Sequence, residues 1–373
     1  MPTLHTVVTK EQLRTFIYLP KLIHQHHANW VPPLYDDEWK FYDPTENRAL
    51  QQSDTVLVLA YEGDKPVGRI MGIIPHEYNQ LKGEQTARFY NLDCFDDASI
   101  AQALIGFVED WARSNGATQM IGPFGFSDKD PQGAQIEGFE HLPVIATATN
   151  LPYIPTFITQ QGYQKLIDCL VYRLDIPKQL PATYERVLER VLRNQQLRMI
   201  EFSSRKALKP YIVPVLRLVN ETYEPLFGFV PMTEAEMKHF AAQYLPILDP
   251  AFVKVIVDTT GNPVAFVVAM PDLSKGIQKA KGKIFPFGFI HILLEARKTK
   301  QLDLLLGAVR PAYRGRGLTI LMGKRLFDEA LKRGLTYIDS HLVLETNTLM
   351  RAELENLGGV VYKRYRVYEK TLG

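Results

Sequence analysis

Apolar residues recur along this chain with two periods. Short apolar or alternating runs bounded by turn residues occupy 56–61, 66–74, 88–95, 117–122, 166–176, 252–258, 264–270, 304–309, 337–345 and 360–369, and these predict strands. Helical spacing covers 9–27, 96–112, 150–162, 184–196, 209–223, 234–244, 318–331 and 347–357. Punctuation agrees with the periods. Asp97 and Thr233 stand where N-caps belong, and Gly116, Gly334 and Gly358 follow helix ends. Gly63 and Gly261 mark tight turns between paired strands. The order repeats: paired strands, a strand feeding a helix, another strand, a helix opening at Asn150 or Asn347 and ending at Gly162 or Gly358, then a closing strand. This coarse pseudo-repeat predicts an α/β (α+β) chain of two similar domains, 1–177 and 182–373, joined by the linker 177–181. Each should hold a mixed, mostly antiparallel sheet flanked by helices.

The most informative stretch is 302–331. An apolar run through Ala308 and Val309 is stopped by Pro311, because proline cannot continue a ladder. Arg314-Gly315-Arg316-Gly317 follows, and then a helix from Leu318. A glycine-rich turn between strand and helix leaves backbone N–H groups unpaired at a helix N-terminus, where the macrodipole adds partial positive charge. Glycines admit close approach of a ligand, and arginines add full charge and bidentate donors. That chemistry suits a pyrophosphate. The third glycine of the dinucleotide fingerprint is absent, since Ile320 holds its place, and no Walker pattern occurs. An ordinary solvated loop is the competing reading. The corresponding helix entrance in the first half, Phe95-Asp96-Asp97-Ala98, would repel a pyrophosphate.

Composition narrows the class without choosing a function. Lys and Arg number 43 against 41 Asp and Glu, for a net charge of +2. No basic block favours nucleic acid. Cys94 and Cys169 form no C-x-x-C pair, so neither a disulfide framework nor a metal site is expected, and a reducing, cytoplasmic setting is. No signal peptide and no apolar run of membrane-spanning length is read, so any membrane contact would be peripheral. His24, His26 and His27 read as a solvated or partner-facing helix end. The basic helix with Arg186, Arg190, Arg193 and Arg198 reads as solvated, with acidic lipid head groups as the alternative. The loop 122–140 carries Asp128, Asp130 and Glu137 and reads either as a structured surface loop or as a wall of a substrate cleft; Pro131 and Phe139 break any calcium pattern.

Val309, Pro311, Arg314, Gly315, Gly317 and Leu318 match V-x-P-x-x-R-G-x-G-[ILV] and so resemble motif A of the GNAT superfamily of acyl-CoA N-acyltransferases, with Thr319 departing from its Gly or Ala. Trp30-Val31-Pro32-Pro33-Leu34, Val67-Gly68-Arg69, Gly228-Phe229-Val230-Pro231 and Val343-Leu344-Glu345 extend the resemblance to a bacterial tandem GNAT-like family and, more loosely, to bacterial ceramide synthases. The resemblance implies tandem GNAT-like domains, the first without its own coenzyme site. It implies acetyl-CoA or a longer acyl-CoA as co-substrate, without a metal, and a small-molecule or lipid-like primary amine as acceptor. Residues 314–319, namely Arg314, Gly315, Arg316, Gly317, Leu318 and Thr319, would hold the pyrophosphate. Ala308 and Val309 would pair with pantetheine, and Asn347 would hold its arm. The family's usual acid, a tyrosine, is replaced by Leu354, which leaves Tyr313 or Tyr362 as donors or the step without one. As base, His341 and Glu345 stand on one alternating face of 337–345 with Tyr337 and Asp339; a salt-bridged face is the competing reading for each. A non-catalytic acyl-CoA binder or regulator is the alternative function.

Overall fold

A computed structural model describes residues 2–145, 147–193 and 196–373. The first half contributes β1 (Thr3–Thr6), α1 (Lys10–Ile23), α2 (Tyr35–Phe41), α3 (Arg48–Gln51), β2 (Ser53–Glu62), β3 (Lys65–Pro75), α4 (His76–Lys82) and β4 (Thr86–Cys94). It continues with α5 (Ala98–Ser114), β5 (Gln119–Gly122), β6 (Ala134–Glu137), α6 (Ile154–Gln160) and β7 (Gln164–Asp175). The second half begins with α7 (Ala182–Leu192), β8 (Arg198–Glu201), α8 (Arg205–Tyr223), α9 (Glu234–Tyr244), β9 (Val253–Val257) and β10 (Pro263–Pro271). Then come α10 (Ser274–Lys279), α11 (Gly288–Ala296), β11 (Gln301–Val309), α12 (Leu318–Lys332), β12 (Tyr337–Asp339), β13 (Val343–Leu344), α13 (Thr348–Asn356) and β14 (Val360–Thr371).

The strands form one 14-stranded sheet in the order β1-β2-β3-β4-β5-β14-β7-β12-β11-β10-β9-β8. Only β4–β5 and β11–β12 are parallel among its main pairings. The closing strands cross the midline. β14, last in the chain, pairs with β5 of the first half, Tyr368 opposite Gly122. β7, last of the first half, pairs with β12, Asp175 opposite Tyr337. The two then pair with each other from Val360 opposite Arg173 to Glu369 opposite Gln164. Each half therefore supplies the strand that completes the other's sheet.

Helices cover both faces in both halves. Thr9 caps α1 with a reciprocal capping box, and α1 buries Phe16, Ile17 and Leu19 under β2 and β3. On the opposite face α5 buries Ile100, Leu104, Ile105 and Val108. It lies close because β3 carries glycines beneath it: a Cβ at Gly68 would come within 2.8 Å of Ile100 and Leu104. In the second half α12 plays the part of α5, burying Leu321, Met322, Leu326 and Phe327 against Ile256, Val267 and Leu302. α8 and α9 cover the other face through Leu216, Val219 and Met237, with Phe229 of the loop between them.

Three expectations are revised. The run 337–345 is not one strand: β12 stops at Asp339, His341 takes a left-handed φ of 54°, and only Val343 and Leu344 resume pairing with β7, shifted by one residue. Alternation from Tyr337 to Glu345 is thereby broken. His24 is not solvated but 2% exposed, stacked on Trp30, with Nε2 3.3 Å from Asp93 Oδ1. Asn150 does not open a helix; its side chain accepts from the Gln135 amide at 2.6 Å and fastens β6. The helix read over 184–196 is α7, and residues 194–195 lie outside those described.

Candidate active site

The parallel pair β11–β12 is bonded only between Gln301–Asp303 and Tyr337–Asp339. Beyond it β12 ends, while β11 runs six residues further to Val309, about 20 Å at 3.3 Å per residue. A bulge at Leu305 bends it there, since Leu304 and Leu306 face consecutive residues, Ala269 and Val268. The result is a V whose open side is the unpaired edge of β11. Among the described residues no strand fills that edge. At Gly307 one side chain touches it: the Tyr223 hydroxyl accepts from the Gly307 N–H at 3.3 Å and donates to its carbonyl at 3.1 Å. The sequence pointed to no role for Tyr223. Burial pushes its phenol up to about 12, so it holds its proton at neutral pH.

Val309 leads into a single turn of 3₁₀ helix, Pro311–Tyr313, and then into the glycine turn. Gly315 and Gly317 have φ of 72° and 78°, a region costly to any side chain. Gly317 is also hemmed in, because a Cβ there would lie 2.5 Å from Val187 and 2.8 Å from Val191 of α7. Among the described residues no side chain caps α12, whose first bond is from the Leu321 amide to the Gly317 carbonyl. The amides of 315–320 thus donate to nothing among the described residues. Gly315, Arg314 and Arg316 are exposed. Arg316 lies over the Tyr313 ring at 4.8 Å, and the Thr319 hydroxyl turns away to Glu353 at 3.0 Å. Tyr313 therefore sits at the amide-rich end of the V, a strand's length from its apex. Asn347 spends its Oδ1 as N-cap of α13, accepting from Met350 at 3.3 Å. Leu354 is buried in the core beneath that helix.

At the apex, Asp303 and Asp339 stand opposite each other and are both fully buried. Asp339 is saturated: it accepts from the His341 amide at 2.8 Å, from the Tyr362 hydroxyl, and from Lys363, itself fully buried, at 2.9 Å. Asp303 accepts from Gln301 Nε2 at 2.7 Å through Oδ1, while Oδ2 has no partner among the described residues. Burial first, then the neighbouring Asp272 and Asp339 carboxylates, push its carboxyl well above the usual range. Buried polar atoms are ordinarily satisfied. Asp303 Oδ2 is one of seven orphans among the described residues; His341 Nε2, two residues past Asp339, and Ser274 Oγ, two residues past Asp272, are others. Burial holds the His341 imidazole below its usual value, hence neutral. Glu345 is elsewhere and fully engaged, accepting from the Asp168 amide at 3.0 Å and from Lys165 at 2.7 Å. Of the expected bases, His341 lies two residues past Asp339 with its imidazole buried, and Glu345 is a bracket between β7 and α13; the structure adds Asp303, which apolar neighbours hid in the sequence.

A cleft of about 450 Å³ opens on the closed side of this pairing, where β11 and β12 begin, lined by Gln301, Tyr337, Tyr362 and Asp272 from the second half and Asn29, His141 and Arg173 from the first; Gln301 and Tyr362, which bond Asp303 and Asp339, link it to the apex. A somewhat larger concavity, about 500 Å³, lies on the far flank of α12 among charged side chains such as the paired Glu201 and Lys254, remote from β12. The aromatic loops of the two halves meet, with Phe124 and Phe227 ring centroids 5.2 Å apart and Lys129 donating to the Val230 carbonyl at 2.6 Å. Asp130 serves that loop internally, accepting from the Phe126 amide at 2.6 Å.

The first half's own V is filled. Phe124 donates to the Phe89 carbonyl past the end of the β4–β5 pairing, and the buried Arg88 guanidinium donates to the Gly125 and Phe126 carbonyls at 2.8 Å. At its helix entrance the Asp97 carboxylate takes the Ser99 amide at 2.8 Å.

No family model matches the chain. Two curated proteins are similar over nearly its whole length. It is 29% identical over 377 residues to a protein of Caulobacter vibrioides named bacterial ceramide synthase, with 98% of this chain and 96% of the other covered. It is 29% identical over 379 residues to protein YghO of Escherichia coli, covering 98% and 95%. Among solved structures, a tandem GNAT protein from the clavulanic acid biosynthesis pathway superposes with a TM-score of 0.58 at 14% identity, over 100% of this chain and 99% of that one. A GCN5-related N-acetyltransferase from Sphaerobacter thermophilus gives 0.53 at 14%, over 100% and 96%. A splayed parallel pair, a bulged strand and an uncapped glycine turn, framed by these superpositions, make this a chain with the tandem GNAT fold.

Proposed function

We propose that the chain is an acyl-CoA-dependent N-acyltransferase whose second half holds the coenzyme and whose acceptor cleft is built by both halves. The observation that carries this reading is the continuity of one unpaired strand edge, 304–309, with the run of free amides at 315–320. The amides, with Arg314 and Arg316, suit the diphosphate, and the β11 edge suits an extended pantetheine arm carrying two amides of its own. That lays the thioester near the Leu305 bulge, between Asp303 and Gly307.

There the amine nitrogen attacks the thioester carbonyl carbon, forming the C–N bond and expelling the thiolate as the C–S bond breaks. Asp303, in its ionised form, takes the amine proton, with the neutral His341 as the alternative acceptor. Tyr223 gives its proton to the thiolate once pantetheine has displaced its hydroxyl from Gly307. The filled V of the first half supports a role for that half in shaping the acceptor wall rather than in binding coenzyme.

The acceptor is a primary amine. A lipid-like amine is favoured over a polar one by whole-length similarity to the Caulobacter ceramide synthase and by the meeting of aromatic loops above the sheet. Isothermal titration of acetyl-CoA and a long-chain acyl-CoA should give saturable heats with the wild type. Arg314→Ala with Arg316→Ala should weaken both by roughly tenfold or more, since charge-assisted bonds contribute about 1.5–3 kcal/mol each. Equal heats for both proteins would sink the reading. Tyr223→Phe should slow thiol release at saturating substrates while leaving coenzyme affinity within about threefold, because the net contribution of one hydroxyl hydrogen bond is near 0.5–1.5 kcal/mol.

A further inference from the structure

The surface of α10, α11 and their connection inverts the usual arrangement of a soluble helix. α11 turns its carboxylate inward, with Glu295 7% exposed and ion-paired to Lys279 at 2.7 Å. Its apolar side chains face out: Phe289 is 42% exposed, Ile290 42%, Leu293 57% and Leu294 46%. Just before it, Phe285 and Phe287 are 73% and 69% exposed. Scattered exposed apolar residues are normal, but six contiguous large ones are not.

The patch is no frayed loop. A Cβ at Gly276 would meet the Ile292 Cα at 2.6 Å, so α10 and α11 cross closely. Gln278 Nε2 donates to the Ala28 and Trp30 carbonyls at 2.8 and 3.0 Å, and the Tyr35 amide donates to the Gly282 carbonyl at 3.0 Å. The base is clamped and the tip projects.

Charge surrounds it. In a chain of net charge +2, residues 275–300 hold seven Lys or Arg and one Glu. Lys275, Lys281, Lys283 and Arg297 are exposed and form no ion pair among the described residues. Apolar side chains rimmed by unpaired cations match the interface of an anionic bilayer, where rings and aliphatics enter the acyl boundary and lysines meet head groups.

We infer that α10, α11 and the connecting segment dock the protein on an anionic membrane surface, as a peripheral and reversible contact. The acceptor cleft shares Lys275, Glu295 and Lys298 with this surface, so docking would set its mouth at the lipid face. Docking stands apart from the catalytic reading, because sedimentation reads binding alone.

The test is co-sedimentation of the full chain with vesicles of phosphatidylcholine alone and of phosphatidylcholine mixed with phosphatidylglycerol. The wild type should pellet with the mixed vesicles and release at high salt. Phe285→Ser with Phe287→Ser, both exposed and hence tolerated by the fold, should leave the protein in the supernatant with an unchanged melting curve. Lys281→Gln with Lys283→Gln should lower partitioning by roughly thirtyfold on mixed vesicles, at about a factor of five per cation. Phe287→Trp should report insertion through a blue-shifted emission on vesicle addition. A wild type that ignores both vesicle types overturns the inference. So does a serine variant that pellets as the wild type does, or a dimer in light scattering that the serine pair dissociates without any vesicle binding.

Discussion

The two glycines of the turn make opposite predictions, although they are two residues apart and share a left-handed backbone. Alanine at either position adopts a φ near 75°, which costs about 1–2 kcal/mol for a residue with a Cβ. At Gly315 that is the whole cost, because no atom lies within 4 Å of the added carbon. At Gly317 the carbon would come within 2.5 Å of Val187 and 2.8 Å of Val191, so α7 must shift, and overpacking adds about 1–3 kcal/mol. Gly317→Ala should therefore be less stable than wild type by roughly 2–5 kcal/mol, and Gly315→Ala by roughly 1–2 kcal/mol. Binding should order the other way among folded molecules. The open space at Gly315 is where a diphosphate would approach the amides, so its methyl group should weaken acyl-CoA by about tenfold or more, the loss of one charge-assisted bond. Urea titration gives the stabilities, and calorimetry at low urea gives the affinities. If Gly315→Ala keeps wild-type affinity, the turn is not the diphosphate site. Equal destabilisation by the two alanines would mean that α7 does not press on Gly317.

Other consequences follow from the buried charges. The rate of thiol release should rise with pH through the elevated titration of Asp303, because only its ionised form accepts a proton. Asp303→Asn should remove that limb and lower kcat by about 10²–10⁴, with acyl-CoA affinity nearly unchanged. Lys363→Met strands a fully buried Asp339 and should cost about 3–5 kcal/mol in urea unfolding, part of which Asp339→Asn in the same chain should restore. Asp130, raised from 3.8 to about 6 by burial, binds its proton more tightly folded than unfolded, so stability should fall as pH rises from about 4 to 6. Asp130→Asn should flatten that slope by about 3 kcal/mol across the window, read by melts at each pH.

Much was legible in residue order because the signals were local. The 3.6-residue spacing from Leu318 to Ala330 and the glycines before it place a helix with an uncapped start wherever they occur, and α12 obeys. Thr233 with Glu236, and Asn347 with Met350, are caps read within four residues. Where the reading failed, the deciding partner was distant. Strand alternation across 337–345 was overridden because His341 turns left-handed and an extra residue is inserted against β7, the partner on both sides of the break, which comes from the other half. Asp303 looked like one acid among leucines until pairing set it against Asp339 with an oxygen unpaired. Tyr223 lies 84 residues from Gly307. Residues 271–300 mix apolar and basic residues without a clear period, and only packing shows that Glu295 faces in and the phenylalanines out.

By itself, then, the sequence determined the elements, the order that repeats in the two halves, and the glycine turn at an uncapped helix start, because backbone conformation and helix ends depend on neighbours a few residues away. The tertiary structure alone decided which strand closes which half, which carboxyl is left wanting a proton at the apex, and which face stays apolar and uncovered. Those depend on burial and on partners distant in the chain, which no local pattern encodes.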